Sequence, residues 1–261
     1  MGSMVLAPAG SLEKGTQMSL HSQLREKVLR HGAINNPYLD RFERGELNAE
    51  DLRDYAIQFY AFVKNFPRIL ATLLANTPDP EAADELCIIL ASELGDGEPR
   101  KRHEYLYHLF LRSIDVDPKH ALRLGCEPET QEFINGMVEL YGHRDYGVAL
   151  GASFGLENMA ITMWDHLLPG LQRLKKIPRF RKMDLTYFTF HRDLEKEHED
   201  SMEEALSHST ELAADSLKYG IDTMLNHLQR MWMGLEKRWH SRRGVAQTEL
   251  PGALSKAKPI V

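Results

Sequence analysis

Cysteine is scarce in this chain of 261 residues: only Cys87 and Cys126 occur, and no Cys-x-x-Cys pair is present. Neither a disulfide framework nor a thiolate zinc site can therefore organise the fold. Unpaired cysteines fit a reducing compartment, so we expect the protein to be cytoplasmic.

The chain also lacks an excess of basic over acidic residues and a long run of apolar residues. The chain has 38 acidic and 32 basic residues, which gives a net charge of -6 with both signs interspersed. This pattern predicts no basic patch that would bind nucleic-acid phosphates or anionic lipid. No segment approaches the roughly 20 apolar residues of a membrane-spanning helix, and the first residues lack the apolar core of a secretory signal. We expect neither a nucleic-acid partner nor a membrane partner.

Alternating apolar and polar residues, which are typical of strands, are almost absent, whereas apolar residues recur at steps of three and four. This periodicity predicts an all-α fold. We expect helices over about 17–31, 49–76, 80–94, 100–114, 128–142, 145–168, 185–207 and 210–240, with breaks at turn-forming residues such as Pro37, Pro118 and the stretch from Pro169 to Pro178. The predicted helical domain covers 17–241. It follows a flexible N-terminus, 1–16, that begins with the remnant of an expression tag, and precedes a flexible tail, 242–261.

The segment YFTFHRDLEKEHEDSMEEAL contains the strongest signal for chemistry. His191, Glu195 and His198 stand at i, i+4 and i+7, so they project from one face of a helix. Two imidazoles and a carboxylate suit a transition metal such as iron or manganese. The alternative is a solvated charged face, because the helix is rich in Glu, Lys and Asp. The large apolar residues Tyr187 and Phe190 on the same stripe favour an inward-facing arc.

A lone carboxylate marks a second segment. Glu157 is the only acidic residue in GVALGASFGLENMAITMW, which otherwise has the composition of a buried helix. Burying a carboxylate is costly unless it is paired or binds a metal. The alternative is an Arg or Lys partner across the core.

The third segment with candidate metal ligands is IILASELGDGEPRKRHEYLYHLF. Here Glu93 closes an apolar helix and His103 opens the next one, with a glycine-rich turn between them. Such a turn can bring both side chains to one point. Asp96, Glu98 and His108 are competing ligands in the same segment.

Together, these segments resemble the haem-oxygenase-like diiron oxidase and oxygenase family, whose pattern is a Glu and a His around a helix break, a lone Glu in a central helix, and a final His-x3-Asp/Glu-x2-His. The stretch RGELNAEDLRDYAIQFYAFVKNFPRIL is most similar to the branch of the Chlamydia protein associating with death domains. The resemblance extends from about Asn36 to His208. It implies a haem-oxygenase-like bundle of about seven to eight helices with the metal ligands Glu93, His103, Glu157, His191, Glu195 and His198.

The resemblance also implies the reaction type. Two Fe(II) ions and the cosubstrate O₂ would oxidise a small amino-acid or amine metabolite, by N-oxygenation, desaturation or carbon–carbon cleavage, in natural-product biosynthesis. A homodimer and an external reductant are further expectations from the family. We predict that Lys64 and Arg68, one turn apart on the second helix, clamp a substrate carboxylate, with Phe190 also in contact with the substrate.

Members of the same branch make para-aminobenzoate with a tyrosine beside the central Glu and a lysine further along that helix. In this chain Leu156 and Leu167 stand at or near those positions. We therefore expect the scaffold and the metals to be shared, but not that reaction.

Two other functions remain open on the residues alone. A metal-free enzyme of the thiaminase-like or pyrroloquinoline quinone synthase-like kind would use the same scaffold without the six metal-type residues. An iron-binding protein without catalytic activity would be ferritin-like, but that fold uses two Glu-x-x-His motifs. Only one such motif, from Glu195 to His198, occurs at a predicted site.

Overall fold

Every regular element in this computed structural model is helical over the residues that it describes, 19–209 and 212–244. The all-α prediction is thus confirmed. The predicted N-terminal segment 1–16 and residues 245–261 of the predicted tail lie outside the described residues. The helices are α1 Leu20–Leu29, α2 Pro37–Glu43, α3 Ala49–Ala75, α4 Pro80–Glu93, α5 His103–Ser113, α6 Pro118–Leu124, α7 Pro128–Tyr141, α8 Tyr146–Lys175, α9 Thr186–His208 and α10 Ala214–Arg242, with a 3-10 turn at Pro178–Phe180.

The described part of the chain has ten α-helices, more than the seven to eight expected, because two prolines start helices where breaks were predicted. Pro37 opens α2 and Pro118 opens α6. Proline suits the first helical position because its missing N–H would have no partner there. The side chains of Asn36 and Asp117 cap these two helices by accepting backbone N–H groups.

The 30-residue helix α8 forms the centre of the bundle and packs against α1, α2, α7, α9 and α10. Its contact with α10 is close. A Cβ atom on Gly151 would clash with the carbonyl oxygen of Leu217, and one on Gly220 would clash with that of Val148. The two backbones touch, and Glu157 lies buried near the middle of α8.

Helix α8 does not end at Pro169 as predicted, but continues to Lys175. Beyond the proline it packs on the end of α2. A Cβ atom on Gly170 would clash with the carbonyl oxygen of Phe42, and the Arg173 guanidinium donates to the carbonyl of Glu43. These contacts hold the helix where the local sequence favours a break.

Helix α9, which carries three of the predicted ligands, lies against α4, α5 and α8. It therefore faces all the helices that contain the other three. Among the described helices, none is long and apolar enough to span a membrane.

Candidate metal centre

The turn between α4 and α5 brings Glu93 and His103 together. Glu93 is the last residue of α4 and His103 the first of α5. Residues 95–97 between them all adopt positive φ angles. A Cβ atom on Gly95 would lie only 2.6 Å from backbone atoms of the same turn, so this position requires glycine. As a result, Nδ1 of His103 lies 2.7 Å from Oε2 of Glu93.

Glu93, His103 and His191 form the first group, in which one ligand atom from each residue lies within 4.8 Å of the others, and all three residues are buried. The rings of His103 and His191 are 4.1 Å apart. Nδ1 of His191 donates to the carbonyl of Tyr187 at 2.8 Å, which leaves Nε2 free to bind a metal. Burial, and next the neighbouring His103, lower the pKa of His191 well below its ordinary value, so the imidazole is neutral, as a ligand must be.

Glu157, Glu195 and His198 form the second group, again buried and with ligand atoms within 4.8 Å of one another. Nδ1 of His198 lies 3.5 Å from Oε2 of Glu157 and 4.0 Å from Oε2 of Glu195. The opposite ring nitrogen, Nε2, is hydrogen-bonded to Ser92 Oγ at 3.1 Å. The Trp164 indole N–H donates to Oε1 of Glu195 at 2.6 Å. Polar neighbours therefore orient both His198 and Glu195.

The two carboxylates of the second group repel each other. Burial, followed by the charge of Glu157, raises the pKa of Glu195 to about 8. Burial alone would lower the pKa of His198, but its contact with Glu157 and the charges of Glu195 and Glu93 raise it to about 9. Such shifts are typical of a negatively charged pocket that favours a cation.

Several buried atoms in the two groups lack hydrogen-bond partners among the described residues: Glu157 Oε1, Glu195 Oε2 and both ring nitrogens of His103. The short approach of His103 to Glu93 does not have hydrogen-bond geometry. Buried polar atoms without partners are costly and rare. Imidazole nitrogens and carboxylate oxygens are donors that suit iron or manganese. The residues of the two groups therefore fit a two-metal site.

The competing ligands lie elsewhere. Asp96 and Glu98 are exposed, and Glu98 pairs with Lys101 at 2.7 Å. His108 is hydrogen-bonded to the hydroxyl of Tyr60. The structure thus brings Glu93, rather than Asp96 or Glu98, together with the other five predicted ligands.

A small cavity of about 30 Å³ adjoins both groups. Apart from the predicted metal ligands, the residues that line this cavity are apolar or aromatic: Phe62, Val63, Phe66, Leu156, Met159, Ala160, Met163, Trp164 and Tyr187.

The substrate clamp predicted for Lys64 and Arg68 is not formed at this cavity. Because α3 presents Val63 and Phe66 to the cavity, Lys64 and Arg68 project from other parts of the helix surface. Lys64 lines a separate surface cavity, and Arg68 is exposed. The half-buried Phe190 does lie near the first group, with its ring centroid 5.7 Å from that of His103.

Sequence reasoning missed the contacts of Ser92 and Trp164 with the second group. Trp164 follows Glu157 by seven residues and so lies on the same face of α8, which is a signal that could have identified it. Ser92 precedes Glu93, but nothing in its local sequence indicates a contact with His198.

The chain is similar to one family of known proteins and to two individual enzymes. Residues 53–230 match the model of a family described as iron-containing redox enzymes. The 4-chloro-allylglycine synthase of Streptantibioticus cattleyicolor is 24% identical over 214 residues, which are 81% of this chain and 80% of that protein. The 4-aminobenzoate synthase of Chlamydia pneumoniae is 23% identical over 173 residues, 66% of this chain and 75% of that protein.

Solved structures show the same fold. A CADD-like protein of unknown function from Nostoc punctiforme superposes with a TM-score of 0.70 at 16% identity, covering 84% of this chain and 96% of that one. A domain of unknown function with a haem oxygenase-like fold from Shewanella denitrificans gives 0.64 at 18% identity, covering 87% and 93%. The haem-oxygenase-like fold is thus confirmed. Since the family model matches more than half of its length, the chain belongs to the family of iron-containing redox enzymes.

Proposed function

We propose that this protein is a non-haem diiron enzyme that uses O₂ to oxidise a small amino-acid or amine metabolite in natural-product biosynthesis. The observation that carries the proposal is the pair of buried groups, which together offer three carboxylates and three imidazoles. Membership of an iron-containing redox family supports the metal. A relative named as a synthase of an amino acid, 4-chloro-allylglycine, supports the substrate class.

Two bound ferrous ions would supply electrons for the reduction of O₂. The residues of the chain prepare the site for these ions. The carboxylates of Glu93, Glu157 and Glu195 offset three of the four positive charges, which lowers the cost of burying both ions. The apolar wall of the cavity, including Phe62, Phe66 and Met163, excludes water from the site.

The 4-aminobenzoate reaction is not part of this proposal. Leu156, next to Glu157, lines the cavity, and Leu167 is fully buried. Neither side chain supplies the phenol or the amine that the resemblance associates with that reaction. We instead propose N-oxygenation, desaturation or carbon–carbon cleavage of a separate small substrate.

The test is anaerobic titration with Fe(II), followed by O₂ uptake and product analysis with a panel of amino acids and amines. We expect about two irons per chain and O₂ uptake that depends on one class of substrate. His191→Ala should lose both properties. His166→Ala is the matched control, because this half-buried histidine pairs with Glu43 outside both groups and its loss should leave the iron content unchanged.

The same titration separates the alternatives. Two irons without O₂ uptake on any substrate would indicate an iron-binding protein without catalytic activity. Substrate turnover without bound iron would indicate a metal-free thiaminase-like or pyrroloquinoline quinone synthase-like enzyme. Either result would overturn the proposal.

A further inference from the structure

A row of three buried tyrosine rings runs outward from His191, and we call Tyr60, Tyr107 and Tyr187 the tyrosine row. The ring centroid of Tyr187 lies 4.0 Å from that of His191. The ring of Tyr107 lies 4.8 Å from Tyr187, and that of Tyr60 lies 5.9 Å from Tyr107 with the planes only 5° apart. The adjacent rings form a continuous aromatic path across which an electron can tunnel.

The outer end of the row is built differently from its middle. The Tyr60 hydroxyl donates to Oε1 of Glu104 at 2.9 Å and lies 2.6 Å from Nε2 of His108, a second atom that can accept its proton. The side chains of His108 and Glu104 are 23% and 45% exposed, so this end reaches solvent. Tyr107, by contrast, donates to the backbone carbonyl of Ala56 at 3.1 Å, and a carbonyl cannot take up its proton.

This difference matters because a phenol that loses an electron becomes a strong acid, so its oxidation at neutral pH requires a base. A neutral imidazole is a stronger base than a carboxylate. Burial lowers the pKa of His108, against the influence of Glu104, so the imidazole is neutral at rest and its Nε2 can accept a proton. The carboxylate of Glu104, 3.7 Å from Nε2, stabilises the resulting imidazolium.

We propose that the tyrosine row is an electron path between the metal centre and a reductant-accepting site at the surface, formed by Tyr60, His108 and Glu104; this inference rests on the proposed function. One electron would leave the Tyr60 phenol and tunnel across the rings of Tyr107 and Tyr187, which keep their protons, to reduce a metal held at the centre. The phenol proton moves to Nε2 of His108, and Tyr60 becomes a neutral radical. A one-electron reductant such as a reduced flavin then returns the electron, and His108 returns the proton.

Such a path is useful because reduction of O₂ to water takes four electrons, whereas a desaturation or another two-electron oxidation of the substrate supplies only two. The remaining electrons must come from a reductant. The buried metal groups offer no surface at which a reductant could dock, but Tyr60 and its partners extend to the surface.

The test uses a photo-oxidant placed beside Tyr60. Cys126 and Tyr60 line one surface cavity of about 150 Å³, so a ruthenium polypyridyl complex attached to Cys126 would oxidise this end of the row on a flash. The exposed Cys87 is first replaced by Ser.

We expect a tyrosyl radical, detected by electron paramagnetic resonance, in the full-length protein loaded with redox-inactive Zn(II). Tyr60→Phe should abolish the signal, and His108→Gln should slow its formation. Tyr105→Phe, an exposed tyrosine on the same helix as His108, is the matched control and should leave the signal unchanged.

In the Fe(II)-loaded protein we expect the radical to decay faster than with Zn(II), because an electron from the iron refills Tyr60. Tyr107→Leu or Tyr187→Leu, which removes one ring from the path, should lengthen the lifetime toward the Zn(II) value. Equal lifetimes with Fe(II) and Zn(II), or a radical that survives in Tyr60→Phe, would overturn the electron path. Because this measurement needs neither O₂ nor substrate, a lifetime difference without O₂ uptake would support the path while it overturns the proposed function.

Discussion

At the scale of single residues, Trp164 orients the carboxylate of the predicted ligand Glu195. Its indole N–H holds Oε1 at 2.6 Å and leaves Oε2 without a hydrogen-bond partner among the described residues. Trp164→Phe keeps most of the ring but removes this donor. We expect Fe(II) affinity to fall about 10–100-fold, as is usual when a hydrogen bond to a metal ligand is lost. Anaerobic Fe(II) titration measures the change.

Trp232→Phe is the control for this prediction. Trp232 is also fully buried, but its indole N–H has no partner within the described structure. Its replacement should leave the affinity for Fe(II) unchanged. Equal losses of affinity in both variants would show that Trp164 acts only through packing.

At the scale of helices, the start of α3 is tied to the end of α10 by a buried ionic contact. Asp51 is fully buried and accepts hydrogen bonds from Arg242 at 2.7 Å and from Arg243 at 2.6 Å. The predicted tail boundary at 242 therefore falls within an ordered contact. Asp51→Asn should lower the free energy of unfolding by about 1.5–3 kcal/mol, because it removes charge-assisted hydrogen bonds from Arg242 and Arg243, although Arg242 keeps its contact with Asp54. Urea unfolding at neutral pH tests this value, and an unchanged midpoint would contradict it.

The same contact predicts a dependence of stability on pH. Burial would raise the pKa of Asp51, but Arg243, the backbone N–H of Asn48 and Arg242 outweigh it and hold the pKa below its ordinary value. A carboxyl group with a depressed folded pKa stabilises the fold above its unfolded pKa of about 3.9. This stabilisation is lost as the pH falls through the lower, folded value. We expect unfolding midpoints below about pH 4 to fall more steeply for the wild type than for Asp51→Asn.

Helices α8 and α10 are close enough to exclude a methyl group. At Gly220 a Cβ atom would meet the backbone of α8, which cannot move as a side chain can. Gly220→Ala should destabilise the protein by about 1–3 kcal/mol. Gly234→Ala on the same helix is the control, because the nearest atoms that its Cβ would meet, at 3.0 Å, belong to the side chain of Glu129 and not to a backbone. That variant should destabilise the protein less than Gly220→Ala, because a side chain can shift where a backbone cannot and helix propensity favours alanine. Thermal unfolding compares the two.

At the scale of the whole molecule, α4, α5, α8 and α9 all carry predicted ligands, so metal binding should stabilise the entire bundle. At a free Fe(II) concentration of about 100 times Kd, linkage adds about 2.7 kcal/mol for each bound ion. For a chain of this size, each ion then corresponds to a rise in Tm of roughly 5–10 °C. Anaerobic scanning calorimetry with and without Fe(II) tests it, with His191→Ala expected to show a much smaller rise. Equal rises in both proteins would place the bound iron elsewhere.

The sequence by itself determined the properties that depend on near neighbours in the chain. Periodicity at three and four residues predicted an all-α protein, because each helix must bury one stripe of its surface. The spacing of His191, Glu195 and His198 placed them on one face of α9. The isolation of Glu157 in an apolar helix marked it as a site residue, because a buried carboxylate needs a partner.

Only the tertiary structure decided what depends on contacts between distant segments. Pro169 suggested a helix end, but packing against α2 carries α8 past it. Lys64 and Arg68 have the spacing of a carboxylate clamp, yet the orientation of α3 keeps them away from the cavity. The choice of Glu93 over Asp96, and the contact of Trp164 with Glu195, likewise depend on how four helices pack together. The local sequence specifies which residues share one face of a helix, whereas the packing of the core specifies which helix faces contact each other.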